Sequence, residues 1–541
     1  MMGPGTRTRE TTAPAPVAAP EPETQVFVRM YRALAEAKDG KKEDDPNKNY
    51  KGLLGDCFLI RIVKGDVKSH ILIDCGLLMG SPDAQARMKR IAQNIVDTCG
   101  GKLDLLVVTH EHWDHISGFS QARDILLNPA KLAIGKIWMA WTEDDSDPLT
   151  KELRARFDKS GMALAAIAER LDSDRTARFG VNARQTAMEG LQGFLGATET
   201  GAKPGKGKLQ GREIMEALKR DGVTEYRRPG EVGPTPGDVS LRAYVLGPPH
   251  DKAKLFKDLP SKNAPETYLD TPSFDSLMLR FAEGQDPDPD TDPPFARSYC
   301  RIGIDSLSAS LANGAAPEGD AREWLRARYY GLPNSTSEAT GAITRRRIDG
   351  DWLAAAGQMA LKLDSDTNNT SLVLAFELPD PERSILLFAA DAQVGNWLSW
   401  HDQDYDAGDG SKPQSATDLL ERVRFYKVGH HGSHNATLDK QGLARMTRDD
   451  LVAAIPTDEE LGKKQGSSGW MMPNPRVNTA LIARTNGRIL RNDRTYLDDK
   501  GEPLKRADLD AIERNFFKQL TEAPMFLEYQ VMGTPQERNP A

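Results

Sequence analysis

The sequence has few cysteines and no long apolar run, and each shortage excludes a class of protein. Four cysteines occur in 541 residues, without the pairwise spacing of a zinc-binding motif. Cys57 and Cys75 lie in apolar runs typical of strands, so we expect small core residues rather than ligands or disulfides. No window approaches the run of about 18 apolar residues that a transmembrane helix needs. We therefore expect no membrane span, and the cytoplasm is the compartment that fits best.

An excess of positive charge is also lacking. The formal net charge is −8, which argues against a generally basic surface for binding nucleic acids. A local basic cleft is still compatible with this charge, because electrostatic steering depends on the distribution of charge rather than on its sum. Residues 1–24 contain Pro, Ala, Thr and Glu in loose order, without the basic and then apolar layout of a signal peptide. This composition predicts a disordered tail.

Histidine is scarce as well, yet six of the nine histidines fall in two short segments. The first segment ends the run Leu105-Leu-Val-Val-Thr-His-Glu-His-Trp-Asp-His115, which is typical of a buried strand with chemistry at its C-terminal end. The second, Gly429-His-His-Gly-Ser-His434, follows a strand predicted over 423–428. Imidazoles and carboxylates are donors that Zn²⁺, Mn²⁺ and Fe²⁺ prefer. We interpret both segments as metal-binding, the alternative being polar loops that are rich in histidine.

The first half of the expected domain, 25–120, alternates between strand and helix patterns. A strand over 70–76 ends in Asp74, a position where carboxylates commonly orient a metal ligand, although Asp74 could instead cap its own turn. Ligands lie at the carboxyl ends of strands in open α/β sheets, which agrees with the position of the first histidine segment. The remaining elements predicted here are strands over 25–31 and 55–63, a helix over 84–99 and the strand that begins at Leu105.

Residues 121–365 are predicted to be an insertion that is helical at first and then rich in loops. Helices are expected over 150–171 and 211–219, and a strand over 239–246 should belong to the core. The lysine-rich segment 201–208 could contact phosphates, but it lacks the fixed spacing of a phosphate-binding loop, which favours a flexible linker.

The sheet pattern resumes over 366–495, the second half of the expected domain. Here a strand over 384–391 ends in Asp391, which again places a carboxylate at a strand end. Residues 496–541 are interpreted as a C-terminal extension. The other elements predicted after residue 365 are strands over 368–378, 423–428 and 524–531, closing secondary structure over 477–483 and 488–491, and a helix over 507–520.

Taken together, the motifs resemble the metallo-β-lactamase fold, and the set is similar to the hydrolase domain of the competence protein ComEC and its soluble relatives. The resemblance covers about 25–120 and 366–495. It implies an α/β (α+β) fold, an αββα sandwich with a two-metal site at one sheet edge. The motifs that carry it are Gly55-Asp-Cys57, Ile73-Asp-Cys-Gly76, His110-Glu-His-Trp-Asp-His115, Asn368-Asn-Thr-Ser-Leu-Val373, Phe388-Ala-Ala-Asp-Ala392 and Lys427-Val-Gly-His-His-Gly-Ser433.

The resemblance also implies a set of ligands for two divalent ions, zinc or manganese. His110 and His112 would bind the first ion. Asp114 and His115 would help to bind the second, and Asp391 would bridge the two.

One histidine of the pair His430-His431 would complete the second ion's ligands. His431 is favoured, because a histidine directly before glycine fills that position in several relatives. His430 would then support a ligand or contact the scissile group. Asp74 and Asn369 are expected to hold ligands through hydrogen bonds, and His434 is a further candidate for that role.

The sequence departs from the general pattern at the first ion's third nitrogen. Most two-metal members have a histidine on a loop before the bridging aspartate, whereas ComEC-like proteins have a Pro-Pro turn there. Leu246-Gly-Pro-Pro-His250 offers that turn and a histidine one residue later. His250 is therefore either a ligand or a surface residue, with water filling the position in the second case.

The resemblance favours a dinuclear metal-dependent phosphodiesterase or nuclease, in which a water shared by two ions would be the nucleophile. Asp114 and His430 are the candidate proton carriers. Nucleic acid or another phosphodiester is the expected substrate, and residues 203–208 and 345–347 are candidate phosphate contacts. The alternatives are a carboxylic-ester, lactone or thioester hydrolase on the same metals, and a non-catalytic metal-binding scaffold.

Overall fold

Two β-sheets form the centre of the protein. The computed structural model describes residues 22–33, 52–158, 211–257, 328, 363–408, 410, 412–464, 470–498 and 500–534. The described strands are β1 (Thr24–Tyr31), β2 (Phe58–Lys64), β3 (Val67–Ile73), β4 (Lys102–Val108), β5 (Ala133–Ala140), β6 (Thr224–Arg227), β7 (Val232–Pro234), β8 (Arg242–Gly247), β9 (Val373–Glu377), β10 (Ile385–Phe388), β11 (Asp404–Tyr405), β12 (Gln414–Ser415), β13 (Val423–Lys427), β14 (Val452–Ile455), β15 (Ile489–Arg491), β16 (Leu520–Glu522) and β17 (Phe526–Met532).

The first sheet has the order β16-β17-β1-β2-β3-β4-β5-β6, and the second has the order β15-β14-β13-β10-β9-β8-β7. Strands β3 to β6 are parallel neighbours in the first sheet, and β10, β13, β14 and β15 are parallel neighbours in the second. The other neighbours are antiparallel, so each sheet is mixed. Strands β11 and β12 form a separate two-stranded ribbon.

Helices cover the outer face of each sheet. The described α-helices are α1 (Ala84–Cys99), α2 (Trp113–Gln121), α3 (Arg123–Leu126), α4 (148–158), α5 (Gly211–Leu218), α6 (Lys252–Leu255), α7 (363–369), α8 (Val394–Trp400), α9 (Ala416–Leu420), α10 (Glu459–Gly462), α11 (Pro475–Thr485) and α12 (Arg514–Gln519). Strands β3 and β4 share a buried cluster with helices α1, α2 and α5, and strands of the second sheet share another with α8, α9 and α11.

A third apolar cluster fills the space between the two sheets. Val26, Val28 and Met30 of β1 alternate toward it, because successive side chains of a strand point to opposite faces. Phe388 and Phe425 enter it from the second sheet. Helix, sheet, sheet and helix are therefore stacked in four layers, which confirms the expected α/β sandwich.

Helix α1 agrees with its prediction at both ends. Met88, Ile91 and Ile95 recur at helical spacing and are fully buried, and the helix ends where Gly100 adopts a left-handed conformation with φ of 60°. Cys57 and Cys75 are buried free thiols in the core, as the sequence predicts. Among the described helices, none is long and apolar enough to cross a membrane.

Part of the range predicted as an insertion, 121–365, contributes strands to the two sheets. Strands β5 and β6 extend the first sheet by parallel pairing, and β7 pairs with the expected core strand β8. The Ala- and Arg-rich composition around β5 favours a helix, so the sequence pattern does not predict this strand. The segments 159–210, 258–327 and 329–362 lie outside the described residues, and with them the lysines of 201–208 and the arginines of 345–347.

The segment predicted as a C-terminal extension, 496–541, contributes two strands to the first sheet. Strand β17 pairs with β1 over the registers Val28↔Tyr529 and Met30↔Leu527, so the C-terminal segment is part of the first sheet. The helix expected over 507–520 is shorter and begins at Arg514. The tail expected over 1–24 overlaps the first residue of β1, and residues 1–21 lie outside the described part of the chain.

Candidate metal centre

The two histidine segments meet where parallel strands of the two sheets end. Strands β3 and β4 are parallel neighbours, so Asp74 and His110 follow at the same sheet edge. Strands β10 and β13 are parallel neighbours in the other sheet, which brings Asp391 beside the His430-His431 pair. The backbone N–H of Leu372 donates to the Thr109 carbonyl at 2.9 Å and joins the two edges.

Four side chains form a compact group at this place. The ligand atoms of Asp114, His115, Asp391 and His431 all lie within 4.8 Å of one another. His115 Nε2 lies 3.2 Å from Asp391 Oδ2, and His431 Nε2 lies 2.8 Å from Asp114 Oδ2. These are the residues that the resemblance assigns to the second ion and to the bridge.

The far nitrogens of both histidines in this group are held by hydrogen bonds. His115 Nδ1 lies 2.7 Å from Asp74 Oδ2, and the Thr109 hydroxyl donates to the same oxygen at 2.6 Å. His431 Nδ1 donates to the Pro456 carbonyl at 2.8 Å. Each bond turns Nε2 toward the group, which is how protein partners commonly orient metal-binding histidines. Asp74 thus contacts a candidate ligand, as its predicted role requires.

Buried ring nitrogens of His110 and His115 lack a hydrogen-bond partner. His110 Nδ1 lies 3.1 Å from Thr109 Oγ1 and 3.3 Å from Ser371 Oγ, while its Nε2 is buried and unpaired. His115 Nε2 also lacks a bond of hydrogen-bond geometry. A buried polar atom without a partner costs free energy, and a cation would satisfy both nitrogens. The donor set, imidazole and carboxylate, therefore fits a divalent metal.

The electrostatics of the site agree with a place for cations. Burial opposes charge on His115, but Asp391, Asp56, Asp74 and Asp114 together raise the pKa of His115 well above its usual range. Burial would also raise the pKa of Asp114, yet His115 and the hydrogen bond from His431 outweigh it, and the pKa of Asp114 is lowered.

Sequence reasoning gave no role to Lys427 or Asp56, although both lie in the quoted motifs. Lys427 is buried, and its Nζ donates to the Ala390 carbonyl at 2.9 Å and lies 3.4 Å from Asp391 Oδ1. It also contacts Asp56, whose N–H donates to the Asp114 carbonyl at 3.0 Å. The sequence signal that could have identified Lys427 is its position as a charged residue at the end of strand β13. Lys427 and Asp56 hold Asp391 and Asp114 in place.

The His430-His431 turn has an uncommon backbone. His430 has φ of 44° and His431 has φ of 52°, and Gly432 follows with φ of 83°. Non-glycine residues in the left-handed region are strained and cluster at functional sites. The turn places His430 Nε2 at 3.9 Å from Asp391 Oδ2 and leaves His430 Nδ1 buried without a partner.

The other predicted site residues are distributed around this group. His112 Nε2 lies 3.5 Å from Asp364 Oδ1, a contact that sequence reasoning missed. Asn369 Oδ1 accepts from the N–H groups of Gln393 and Asn396 and so fixes the loop after Asp391. His434 is half-buried, and burial lowers its pKa.

His250, the candidate third nitrogen of the first ion, makes contacts of a different kind. Its Nε2 lies 3.0 Å from Asp147 Oδ2, and its ring centroid lies 4.3 Å from that of Trp141. The side chain is 44% exposed. The nitrogen that would face a metal ion is thus already bonded to a carboxylate.

Replacing Gly76 with alanine should lower stability, because helix α2 begins directly against this residue. A Cβ atom here would lie 2.4 Å from the carbonyl carbon and oxygen of Asp114. We expect a loss of about 2–3 kcal/mol in the free energy of unfolding, measured by denaturant titration. Gly233→Ala is the matched control, since its Cβ would meet open space. Equal midpoints for the two variants would contradict the close approach.

Comparison with known proteins supports the family resemblance over part of the chain. The family model for the metallo-beta-lactamase superfamily matches residues 50–244. The match includes the segment His110–His115 and ends before Asp391 and the His430-His431 pair. The comparison with curated proteins found no match. Residues 50–244 are therefore similar to a metallo-beta-lactamase superfamily domain, and the described residues include a group of Asp and His side chains able to hold metal.

Proposed function

We propose that this protein is a dinuclear metal-dependent hydrolase that cleaves phosphodiesters, with nucleic acid as the leading substrate class. The observation that carries the proposal is the compact group of Asp114, His115, Asp391 and His431 beside the unpaired nitrogen of His110. Members of the matched superfamily are mostly hydrolases. The mixed nitrogen and oxygen donors suit zinc or manganese.

The residues of the chain have separate tasks in this proposal. Bound divalent ions supply Lewis acidity, which polarises phosphoryl oxygens and lowers the pKa of a water molecule. Burial lowers the pKa of His430 to about 4, so its ring is neutral at pH 7 and Nδ1 or Nε2 can accept a proton. Asp114 is the other candidate proton carrier, and Lys427 holds Asp391 in position.

Polar residues around the site argue against an apolar acyl pocket. Glu111 lies 3.6 Å from Arg212 on helix α5, Asp364 lies 3.5 Å from His112, and Asn368 donates to Asp364. These side chains are suited to polar contacts rather than to an apolar acyl group. An apolar lining would instead favour the alternative function, a carboxylic-ester, lactone or thioester hydrolase.

A substrate panel tests the proposal directly. The full chain is stripped with a chelator, reloaded with Mn²⁺ or Zn²⁺, and assayed on single-stranded DNA, double-stranded DNA, RNA, cyclic nucleotides, bis-p-nitrophenyl phosphate and p-nitrophenyl esters. We expect phosphodiester turnover that depends on added metal, with the stripped protein as control. Ester turnover with every phosphodiester inert would refute the phosphodiesterase proposal. Metal content is measured on the same preparation, and less than about one ion per chain would instead favour a non-catalytic scaffold.

A further inference from the structure

We propose that Asp364 supplies an oxygen ligand to the first metal ion, beside His110 and His112. The inference rests on the proposed function, because it requires a second cation next to the group of Asp114, His115, Asp391 and His431. That ion's third protein ligand is the position where most two-metal members have a histidine. An aspartate from helix α7 would fill it here.

Asp364 faces the space beside the first histidine segment. Its Oδ1 lies 3.5 Å from His112 Nε2, and the two side chains are 17% and 11% exposed. The carboxylates of Asp114 and Asp391 are the charged groups close enough to act on that of Asp364. Without a cation, these carboxylates therefore repel one another, and a bound cation would reverse this interaction.

The distance between Asp364 and His112 is that of two ligands on one ion. Two donors about 2.1 Å from a tetrahedral metal lie about 3.4 Å apart, close to the 3.5 Å observed. A carboxylate that orients a histidine makes a shorter contact, as Asp74 does with His115 at 2.7 Å. The spacing therefore favours a shared ion over a hydrogen bond.

A second observation concerns His110, whose ring lies beside that of His112. His110 is 2% exposed, and its Nε2 has no hydrogen-bond partner. The ring centroids of His110 and His112 lie 4.7 Å apart. Since Thr109 and Ser371 contact Nδ1 of His110, Nε2 is the ring nitrogen left for a cation.

Helix α7 is held in place, so Asp364 is presented from a fixed element. Asn368 Nδ2 donates to Asp364 Oδ2 at 3.2 Å, which leaves Oδ1 directed at His112. Arg156 on helix α4 contacts Asp366 Oδ2 at 3.1 Å, and Asn369 Nδ2 donates to the Lys257 carbonyl at 2.8 Å. His250, the rival for the position, is bonded to Asp147.

Metal content of the full chain tests the assignment without relying on activity. Wild-type protein, reconstituted with Zn²⁺ or Mn²⁺ and dialysed, should hold two ions per chain by elemental analysis. Asp364→Asn should keep one ion, or bind the second at least on the order of tenfold more weakly in a chelator competition. Asp364→His should keep both ions, because imidazole is the donor most members use there. Asp366→Asn, on the same helix but paired with Arg156, should also keep both.

The outcomes separate this inference from the proposed function. Two ions of unchanged affinity in Asp364→Asn would overturn the ligand role and leave Asp364 at most a residue that orients His112. Fewer than two ions in the wild type would overturn the dinuclear proposal itself, and this inference with it. Far-ultraviolet circular dichroism should show that Asp364→Asn is folded, because the change removes one of three neighbouring carboxylates that repel one another.

Discussion

Asp391→Ala should lose bound metal and reduce hydrolysis by at least on the order of a hundredfold. Removing a residue that only supports a metal ligand typically costs about 10–100-fold, and Asp391 is in the ligand group itself. It is 1% exposed, lies 3.2 Å from His115 Nε2 and is also in reach of Lys427 and His430. Elemental analysis and initial rates on the best substrate of the panel would measure both effects.

Asp404→Ala is the matched control for this variant. Asp404 is an exposed aspartate in the ribbon strand β11, so its replacement should leave metal content and rate unchanged. Wild-type hydrolysis by Asp391→Ala would show that the chemistry takes place elsewhere. A loss of rate with full metal content would mean that Asp391 acts on the substrate rather than on the metal.

Lys427→Met should lower the free energy of unfolding of the metal-free protein by about 3–5 kcal/mol, because it leaves buried carboxylates without their counter-charge. Lys427 and Asp56 are 1% and 2% exposed, and they form an ion pair in the core of the site. Asp391 lies on the other side of the ammonium group. Methionine keeps most of the side-chain volume, so the loss measures charge rather than packing. Denaturant titration of chelator-treated protein would give the value.

A double-variant cycle shows whether the loss comes from this pair. Lys427→Met combined with Asp56→Asn should recover part of the stability, since the charge left unpaired by the first change is removed by the second. Exposed Lys440→Met should have little effect. Additive losses in the cycle would show that Lys427 and Asp56 act independently. Bound cations should reduce the loss, because they neutralise the same carboxylates.

Several helices and strands could be predicted from the spacing of apolar and polar residues within the element itself. Helix α1 was predicted over its observed length because its buried residues recur at helical spacing. The strands before the two histidine segments were predicted because apolar runs stop abruptly at polar residues. Strand β5 was not predicted, because the composition of residues 121–230, rich in Ala, Arg, Glu, Leu and Met, favours helices. The pairing of β17 with β1 could not be predicted from local patterns, because it joins residues about 500 positions apart.

By itself, the sequence determined the donor types and their position at strand ends, since imidazoles and carboxylates concentrated in two segments already predict a metal site. Only the tertiary structure decided which donors lie close enough together to share an ion. Packing of the two sheets brings Asp114 and His431 within 2.8 Å and places Asp364 beside His112, while His250 bonds to Asp147. The physical reason is that a coordination shell depends on distances of a few ångströms between residues hundreds of positions apart. Those distances are set by sheet pairing and layer packing, which local patterns do not encode.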